Sequence, residues 1–329
     1  MMRVIFYHVG KGDMSLVLLP NGEALIVDCY KVADVIEEET VLEDIADRIE
    51  EHILNHRERM ASHIEKLAES VPKERAKEKK IPIAILAITH ADSDHITARK
   101  ILKERFEIGL LIDNGREYRG ASEATKDYIK FRNEMKDSKK YQEYTRSQYN
   151  IRPETGAIID VLCPNRDIEV DEDSNNQCLV IKCTYKEKSI LFTGDSTLYD
   201  WTDDKTGIIN AHGDRVASDI LHVSHHGSRT FFTPPGQRKE GQPEYSKEEY
   251  DTTALNKINP IISFITCSDD ENSDHPHPIA LELYQELTNQ NINENNRSSH
   301  VILSRNSQHL HQVIDGDGNL YMRTSRLFT

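Results

Sequence analysis

The chain has no apolar run near the roughly 18 residues that a membrane-spanning helix needs, which excludes such a helix. Its first residues, Met1-Met2-Arg3-Val4-Ile5-Phe6-Tyr7-His8, read as a strand and lack the apolar core of a secretion signal. Cysteine is scarce and unpatterned. Cys29, Cys163, Cys178, Cys183 and Cys267 are odd in number and form no CxxC pair, which speaks against a disulfide framework and a zinc ribbon. They read as buried small residues of a cytoplasmic protein. Positive charge is also short: 41 Lys and Arg against 56 Asp and Glu leave a formal net charge of −15. That balance argues against a protein that coats nucleic acid, because phosphate affinity is largely counterion release by Lys and Arg. It leaves room for a nuclease, since metal can neutralise carboxylates and basic residues can gather locally. No internal repeat at solenoid spacing is present.

What the chain does have is a series of short apolar runs. At 329 residues, 37% hydrophobic and 29% charged, it fits one α/β unit spanning 1–329. Val4–Val9, Ser15–Leu19 and Glu23–Asp28 read as a meander, with a turn at Pro20-Asn21-Gly22. Residues 33–80 form a charge-rich helical insertion, with Ile36, Val41, Ile45, Ile49, Ile53 and Leu54 at helical spacing and a Lys/Arg/Glu run at Lys73–Lys80. Ile81–Ile88 is a near-continuous apolar run, as a buried central strand requires. An amphipathic helix over Ile96–Phe106 and a strand at Gly109–Ile112 follow. Residues 115–152 are polar, Tyr-bearing and locally basic, and read as a second helical insertion. Strands resume at Ile158–Cys163, at a hairpin of Cys178–Tyr185 and Ser189–Thr193, and at Ile220–Val223 and Ile261–Cys267. Pro278 suits the first turn of a helix over Ile279–Leu287. A loop at Asn289–Arg297 and a last hairpin turning at Asp315-Gly316-Asp317-Gly318 complete the chain.

Polar residues collect where these strands stop. Asp28, His90, Asp195, His225, His275 and His277 all lie at or beyond the end of an apolar run, where layered α/β proteins build ligand sites. The segment His90-Ala91-Asp92-Ser93-Asp94-His95 is the strongest signal. In a tight turn His90 and Asp92 can face one metal, while Asp94 and His95 can reach a second. Carboxylates packed this densely repel each other unless a cation offsets them. Helix capping by Asp92 or Ser93 explains one or two of these residues but not both histidines.

His-x-Asp-x-Asp-His resembles the His-x-His-x-Asp-His signature of the metallo-β-lactamase superfamily, with Asp92 in place of the second histidine. That exchange is typical of the soluble domain of ComEC-type DNA-uptake proteins and their freestanding relatives. His8-Val9-Gly10-Lys11-Gly12-Asp13 is similar to the opening motif of that branch. Ile26-Val27-Asp28-Cys29 resembles its Leu-Ile-Asp-x-Gly, although Tyr30 replaces the glycine. Asn175-Asn176-Gln177-Cys178-Leu179-Val180, Leu191-Phe192-Thr193-Gly194-Asp195, His225-His226-Gly227-Ser228 and His275-Pro276-His277-Pro278 match later motifs in order. The resemblance implies an αββα sandwich of two sheets with outer helices.

It also implies roles. His90, Asp92, Asp94, His95 and His225 would bind metal, with Asp195 bridging two divalent ions, Zn²⁺ or Mn²⁺. Asp28 would orient a ligating histidine from behind. His226 would serve catalysis or contact substrate with Ser228. His275 or His277 would supply a late ligand or a proton donor. Asn175 or Asn176 stands where the wider family has a further histidine, and Asn176 would face substrate. Gly10 and Gly12 read as turn glycines. Two cations held by Asp195 would share a water and lower its pKa, which is the chemistry of a phosphodiesterase or nuclease. A small nucleotide, cyclic nucleotide, lactone or thioester is the alternative substrate. The third reading is a metal-bound partner or sensor subunit docking through its charged insertions. These residues carry no membrane channel, so transport of DNA is not expected of them.

Overall fold

The computed structural model describes residues 1–30, 38–63, 80–118, 122–165, 175–233, 246–268, 270, 273–288, 301–307 and 309–325. Strands β1 (Met2–Phe6), β2 (Ser15–Leu18) and β3 (Ala24–Val27) pair antiparallel in sequence order, the expected meander. Helix α1 (Glu38–His63), β4 (Ile81–Ala87), α2 (Ser93–Ile96), α3 (Arg99–Arg105) and β5 (Phe106–Asp113) follow. Helix α4 (Glu123–Asp137) leads to β6 (Tyr141–Glu143). Then come β7 (Ile158–Cys163), the hairpin of β8 (Val180–Tyr185) and β9 (Lys188–Phe192), α5 (Leu198–Thr202), α6 (Ile208–His212) and β10 (Ile220–His222). Helix α7 (Thr253–Ile258), β11 (Ile262–Ile265), α8 (Pro278–Leu287) and β12 (Val301–Leu303) complete the second half. A closing hairpin, β13 (His309–Ile314) and β14 (Leu320–Ser325), returns to pair with β1.

Among the described residues the strands form an eight-stranded sheet, β14-β13-β1-β2-β3-β4-β5-β6, and a six-stranded sheet, β12-β11-β10-β9-β8-β7. Strands β3 to β6 run parallel in the first sheet, and β9 to β12 in the second. Side chains alternate across each strand. Val4, Phe6, Leu25, Val27, Ile85 and Ala87 meet Ile181, Ile190, Phe192 and Ile220 between the sheets. The intervening residues of the first sheet, Ile5, Ile26 and Leu86 among them, pack on the other face against α1 (Val41, Ile45, Ile49) and α4 (Tyr128, Phe131, Met135). Leu191 and Leu221 of the second sheet turn outward to Trp201, Ile208, Leu255 and Tyr284 of its covering helices. Where both faces of a sheet are covered, the strands read as continuous apolar runs. The architecture is the αββα sandwich expected from the sequence. No described helix is long and apolar enough to cross a membrane.

Several local expectations need correction. The helix expected over Ile96–Phe106 starts at Ser93, breaks after Ile96 and stops at Arg105, so that Phe106 opens β5. The break has a clear cause. An unbroken helix would bond the Ala98 amide to the Asp94 carbonyl. Here the Asp94 carbonyl accepts from the Asp13 amide at 3.0 Å, and the Ala98 amide donates to the Cys29 carbonyl at 2.7 Å. Tertiary bonds to the loops after β1 and β3 have taken both partners. Among the described residues of 115–152 the helix is confined to α4; Tyr141–Glu143 adds β6 to the open side of β5. Of the 33–80 insertion, residues 38–63 and 80 are described. The Lys73–Lys80 run, except Lys80, and the loop at Asn289–Arg297 lie outside the described residues.

Candidate metal centre

The carboxyl ends of β3, β4, β9 and β10 converge, and each is followed by a short turn that redirects the chain. Asp28, just after β3, takes up φ 56°, a left-handed conformation rare for residues other than glycine. Its Oδ1 accepts from the Thr89 amide at 2.8 Å, and its Oδ2 accepts from the Thr89 hydroxyl at 2.8 Å and meets His95 Nδ1 at 2.9 Å. A carboxylate can only accept, so His95 carries a proton on Nδ1 and turns Nε2 the other way. Nε2 lies 3.2 Å from Asp195 Oδ1. Asp195 reaches this place through Gly194, whose φ of +51° and close approach to Thr89 exclude a side chain; a Cβ there would lie 2.8 Å from the Thr89 Cβ.

His90 enters on the other side, its Nε2 3.6 Å from Asp92 Oδ2 and 3.7 Å from Asp195 Oδ2. Asp92 stands at the N-cap of α2 yet makes no side-chain cap bond. Capping therefore does not account for it. His225 and His226 follow β10 in two successive left-handed conformations, φ 48° ψ 47° and φ 52° ψ 27°. Each costs on the order of 1–2 kcal/mol, strain of a kind that concentrates at functional sites. The kinked turn delivers one ring to Asp195 and the other to Asp94. His225 Nε2 lies 3.6 Å from Asp195 Oδ2, and His226 Nε2 lies 3.5 Å from Asp94 Oδ2.

These atoms are short of partners in an instructive way. His90 Nε2, His95 Nε2, His226 Nε2, Asp195 Oδ1 and Asp13 Oδ2 are buried without a hydrogen-bond partner, an arrangement that costs free energy unless something else binds them. Four ligands held tetrahedrally about 2.0–2.2 Å from one ion lie about 3.3–3.6 Å from each other, close to the spacings here. Asp13, His95, Asp195 and His226 together form a buried group able to hold a metal ion. The donor set fits a divalent cation.

The electrostatics agree. At Asp195 burial pushes the pKa up, but His95, His90 and His225 outweigh it and hold the carboxyl well below the usual carboxylate range. At His95 burial works downward, but Asp195 and Asp28 raise the ring well above the usual imidazole range. His226 is likewise disfavoured by burial yet raised to about 9 by Asp13, Asp94 and Asp195. The carboxylates demand positive charge at their centre, and protons or a cation can supply it.

The remaining sequence candidates lie as follows. Asn175 Nδ2 is 3.5 Å from His225 Nδ1, whereas Asn176 Oδ1 turns away to accept from the Thr197 hydroxyl at 3.0 Å. Ser228 Oγ accepts from the Thr230 amide at 3.3 Å within its own turn. His275 packs edge-on against His225, ring centroids 5.2 Å apart. His277 stands at the N-cap of α8, its amide bonded to the Gly227 carbonyl at 3.0 Å.

Three features escaped sequence reasoning. Asp13 sits behind His226, and His222, inside an apolar strand, lies 3.6 Å from Asp13 Oδ1. The second insertion is part of the site's frame: the Ala91 amide donates to the Tyr118 hydroxyl at 3.0 Å, and the Thr125 hydroxyl donates to the Ala91 carbonyl at 3.0 Å. Asp113 anchors that insertion by accepting from Tyr128 and Tyr141 at 2.6 and 2.7 Å. Gly12 is more than a turn residue, since a Cβ there would lie 2.2 Å from Tyr30 Cγ and 2.4 Å from the Asp94 carbonyl oxygen. Gly12→Ala is expected to destabilise the fold by about 1–3 kcal/mol, as overpacking of a filled site does. Urea denaturation measures this, and an unchanged midpoint contradicts the close fit.

No protein-family model matches the chain, and no curated relative matches it. Solved structures do align over nearly its whole length. They include the metallo-β-lactamase fold protein YhfI from Bacillus subtilis, at 10% identity over 98% of this chain and 100% of that one, TM-score 0.43. Zn(2+)-bound PqqB from Methylobacterium extorquens aligns at 11% identity over 98% and 99%, TM-score 0.46. Igni18, a metallo hydrolase from the archaeon Ignicoccus hospitalis, aligns at 10% identity over 98% and 100%, TM-score 0.41.

Proposed function

We propose that the protein is a binuclear, metal-dependent hydrolase of the metallo-β-lactamase type, in its ComEC-like branch, acting on phosphodiester bonds. One observation carries this reading: two sets of donors flank Asp195. His90 and His225 face its Oδ2, with Asp92 beside His90, while His95 faces its Oδ1 with Asp94 and His226 alongside. When bound, two divalent ions supply a water of lowered pKa and offset the charge that develops on a phosphoryl group. Three carboxylates among seven donors make the set rich in oxygen, which brings Mn²⁺ into contention with Zn²⁺.

The chain's own residues do the rest. Asp195, His90 and His95 are buried and preset, so the donors need no rearrangement on substrate binding. Asp92, Asp94 and His225 are 40%, 27% and 22% exposed and mark the open side by which an anion enters. His275, half-buried against His225, stands at that side as the proton donor to the leaving alkoxide. His277 holds the turn that carries it.

The size of the substrate is a separate matter. On α4, Lys126, Lys130 and Lys136 pair with Glu123, Asp127 and Glu143 at 2.6, 3.4 and 3.6 Å. Such pairing blunts the surplus positive charge that would track a nucleic-acid backbone and favours a small phosphodiester, such as a cyclic nucleotide, as the second reading. The test is hydrolysis of bis-p-nitrophenyl phosphate, cyclic nucleotides, and single- and double-stranded DNA and RNA with Mn²⁺ or Zn²⁺. Metal-dependent cleavage supports the proposal, and the preferred substrate names its class. Bound metal without turnover of any of them overturns it in favour of a non-phosphodiester substrate or a partner-subunit role.

A further inference from the structure

Behind His226 lies a chain of three buried side chains drawn from distant parts of the sequence. His226 Nδ1 is 3.0 Å from the Thr266 hydroxyl at the end of β11. That hydroxyl donates in turn to Oδ1 of Asp13, in the loop after β1. Asp13, Thr266 and His226 are 2%, 0% and 4% exposed, so water does not substitute for these bonds. Proton bookkeeping then allows one arrangement. The Thr266 hydroxyl donates to the Asp13 carboxylate, which commits its single proton. The Thr266 oxygen is left as an acceptor, and the proton between it and His226 must reside on Nδ1. Nε2 is thereby turned toward Asp94 and the centre, 3.5 Å from Asp94 Oδ2. His222 closes the far side of Asp13, its Nε2 3.6 Å from Oδ1 and its ring stacked on Phe6 at 5.2 Å. The Asp13 amide is tied to the Asp94 carbonyl at 3.0 Å, which joins this chain to the turn bearing Asp94 and His95.

We propose that Asp13 and Thr266 form a relay that locks His226 in its Nδ1–H tautomer and so prepares Nε2 to bind metal. Asp28 does the same for His95 directly, so each of the two histidines on this side of Asp195 is backed by its own carboxylate. Asp13 and Thr266 are positioning residues, and the proposal rests on the metal-centre reading of the previous section.

The test uses the full chain with Zn²⁺ alone as probe. Thr266→Val keeps the shape and removes the hydroxyl, and Thr266→Ser restores it. Loss of an outer partner costs about 10- to 100-fold in metal affinity, so Thr266→Val should lose that factor at one ion while holding the other. Thr266→Ser should recover most of it. Imidazole ¹⁵N spectra of the metal-free wild type and Thr266→Ser, recorded above the raised pKa of His226, should show the ring as the Nδ1–H form, and Thr266→Val should not hold it. Equal Zn²⁺ affinity in wild type and Thr266→Val overturns the relay. So does a harmless Thr266→Val beside an Asp13→Asn that strips an ion, which makes Asp13 a ligand. If the wild type binds no Zn²⁺, the metal-centre reading fails, while the tautomer seen in its ¹⁵N spectrum still decides the relay.

Discussion

Asp195→Ala is expected to bind fewer than two divalent ions and to lose at least about 10³-fold in phosphodiester hydrolysis. The magnitude follows from comparison, since removing a group that merely supports a ligand costs about 10- to 100-fold. Asp195 is more central than that. Its two oxygens face separate donor sets, with His95 at 3.2 Å on one side and His90 and His225 at 3.7 and 3.6 Å on the other. Its loss therefore weakens both ion sites together and also leaves His90 and His95 facing no carboxylate between them. Elemental analysis of the purified variant gives the stoichiometry, and turnover of bis-p-nitrophenyl phosphate gives the rate. A variant with two ions and undiminished turnover contradicts the role assigned to Asp195.

Chelation is expected to lower the melting temperature by roughly 10 °C. An ion present at 100 times its dissociation constant stabilises the folded chain by about 2.7 kcal/mol. For a domain of this size each kcal/mol moves the midpoint by about 2 °C, and two ions are involved. The structural reason is the set of buried atoms that lack partners: His90 Nε2, His95 Nε2, His226 Nε2 and Asp195 Oδ1. Without a cation the carboxylates are balanced only by protons on His95 and His226, whose pKa values stand raised for that reason. Scanning calorimetry with and without EDTA measures the shift, which should shrink in Asp195→Ala. An unchanged midpoint in the wild type contradicts the presence of tightly held ions.

The parts of this site that were legible in the sequence share a local cause. A buried strand is an apolar run, so a site candidate at its end appears as an abrupt polar residue: Asp28 after Ile26-Val27, His90 after Ile81–Ile88, Asp195 after Leu191-Phe192. The positions of the elements followed from the same runs. What stayed hidden was set by contacts between distant segments. His222 lies in a strand and reads as one more core residue, yet its ring nitrogen faces Asp13 across the sandwich. Asp13 appears in the sequence as the last residue of the opening motif, with nothing there to pair it with Thr266 or His226. Tyr118 and Thr125 read as members of a polar insertion, although their hydroxyls hold the peptide between His90 and Asp92. The split between α2 and α3 was equally invisible, because a tertiary carbonyl replaced a helical one.

The most direct measurement is a crystal structure of the protein soaked in Mn²⁺, with anomalous data collected to locate the ion. Two peaks are expected on either side of Asp195, one among His90, Asp92 and His225 and the other among Asp94, His95 and His226. A single peak away from Asp195, or none in crystals that hold Mn²⁺ elsewhere, contradicts the binuclear centre and with it the chemistry proposed for the protein.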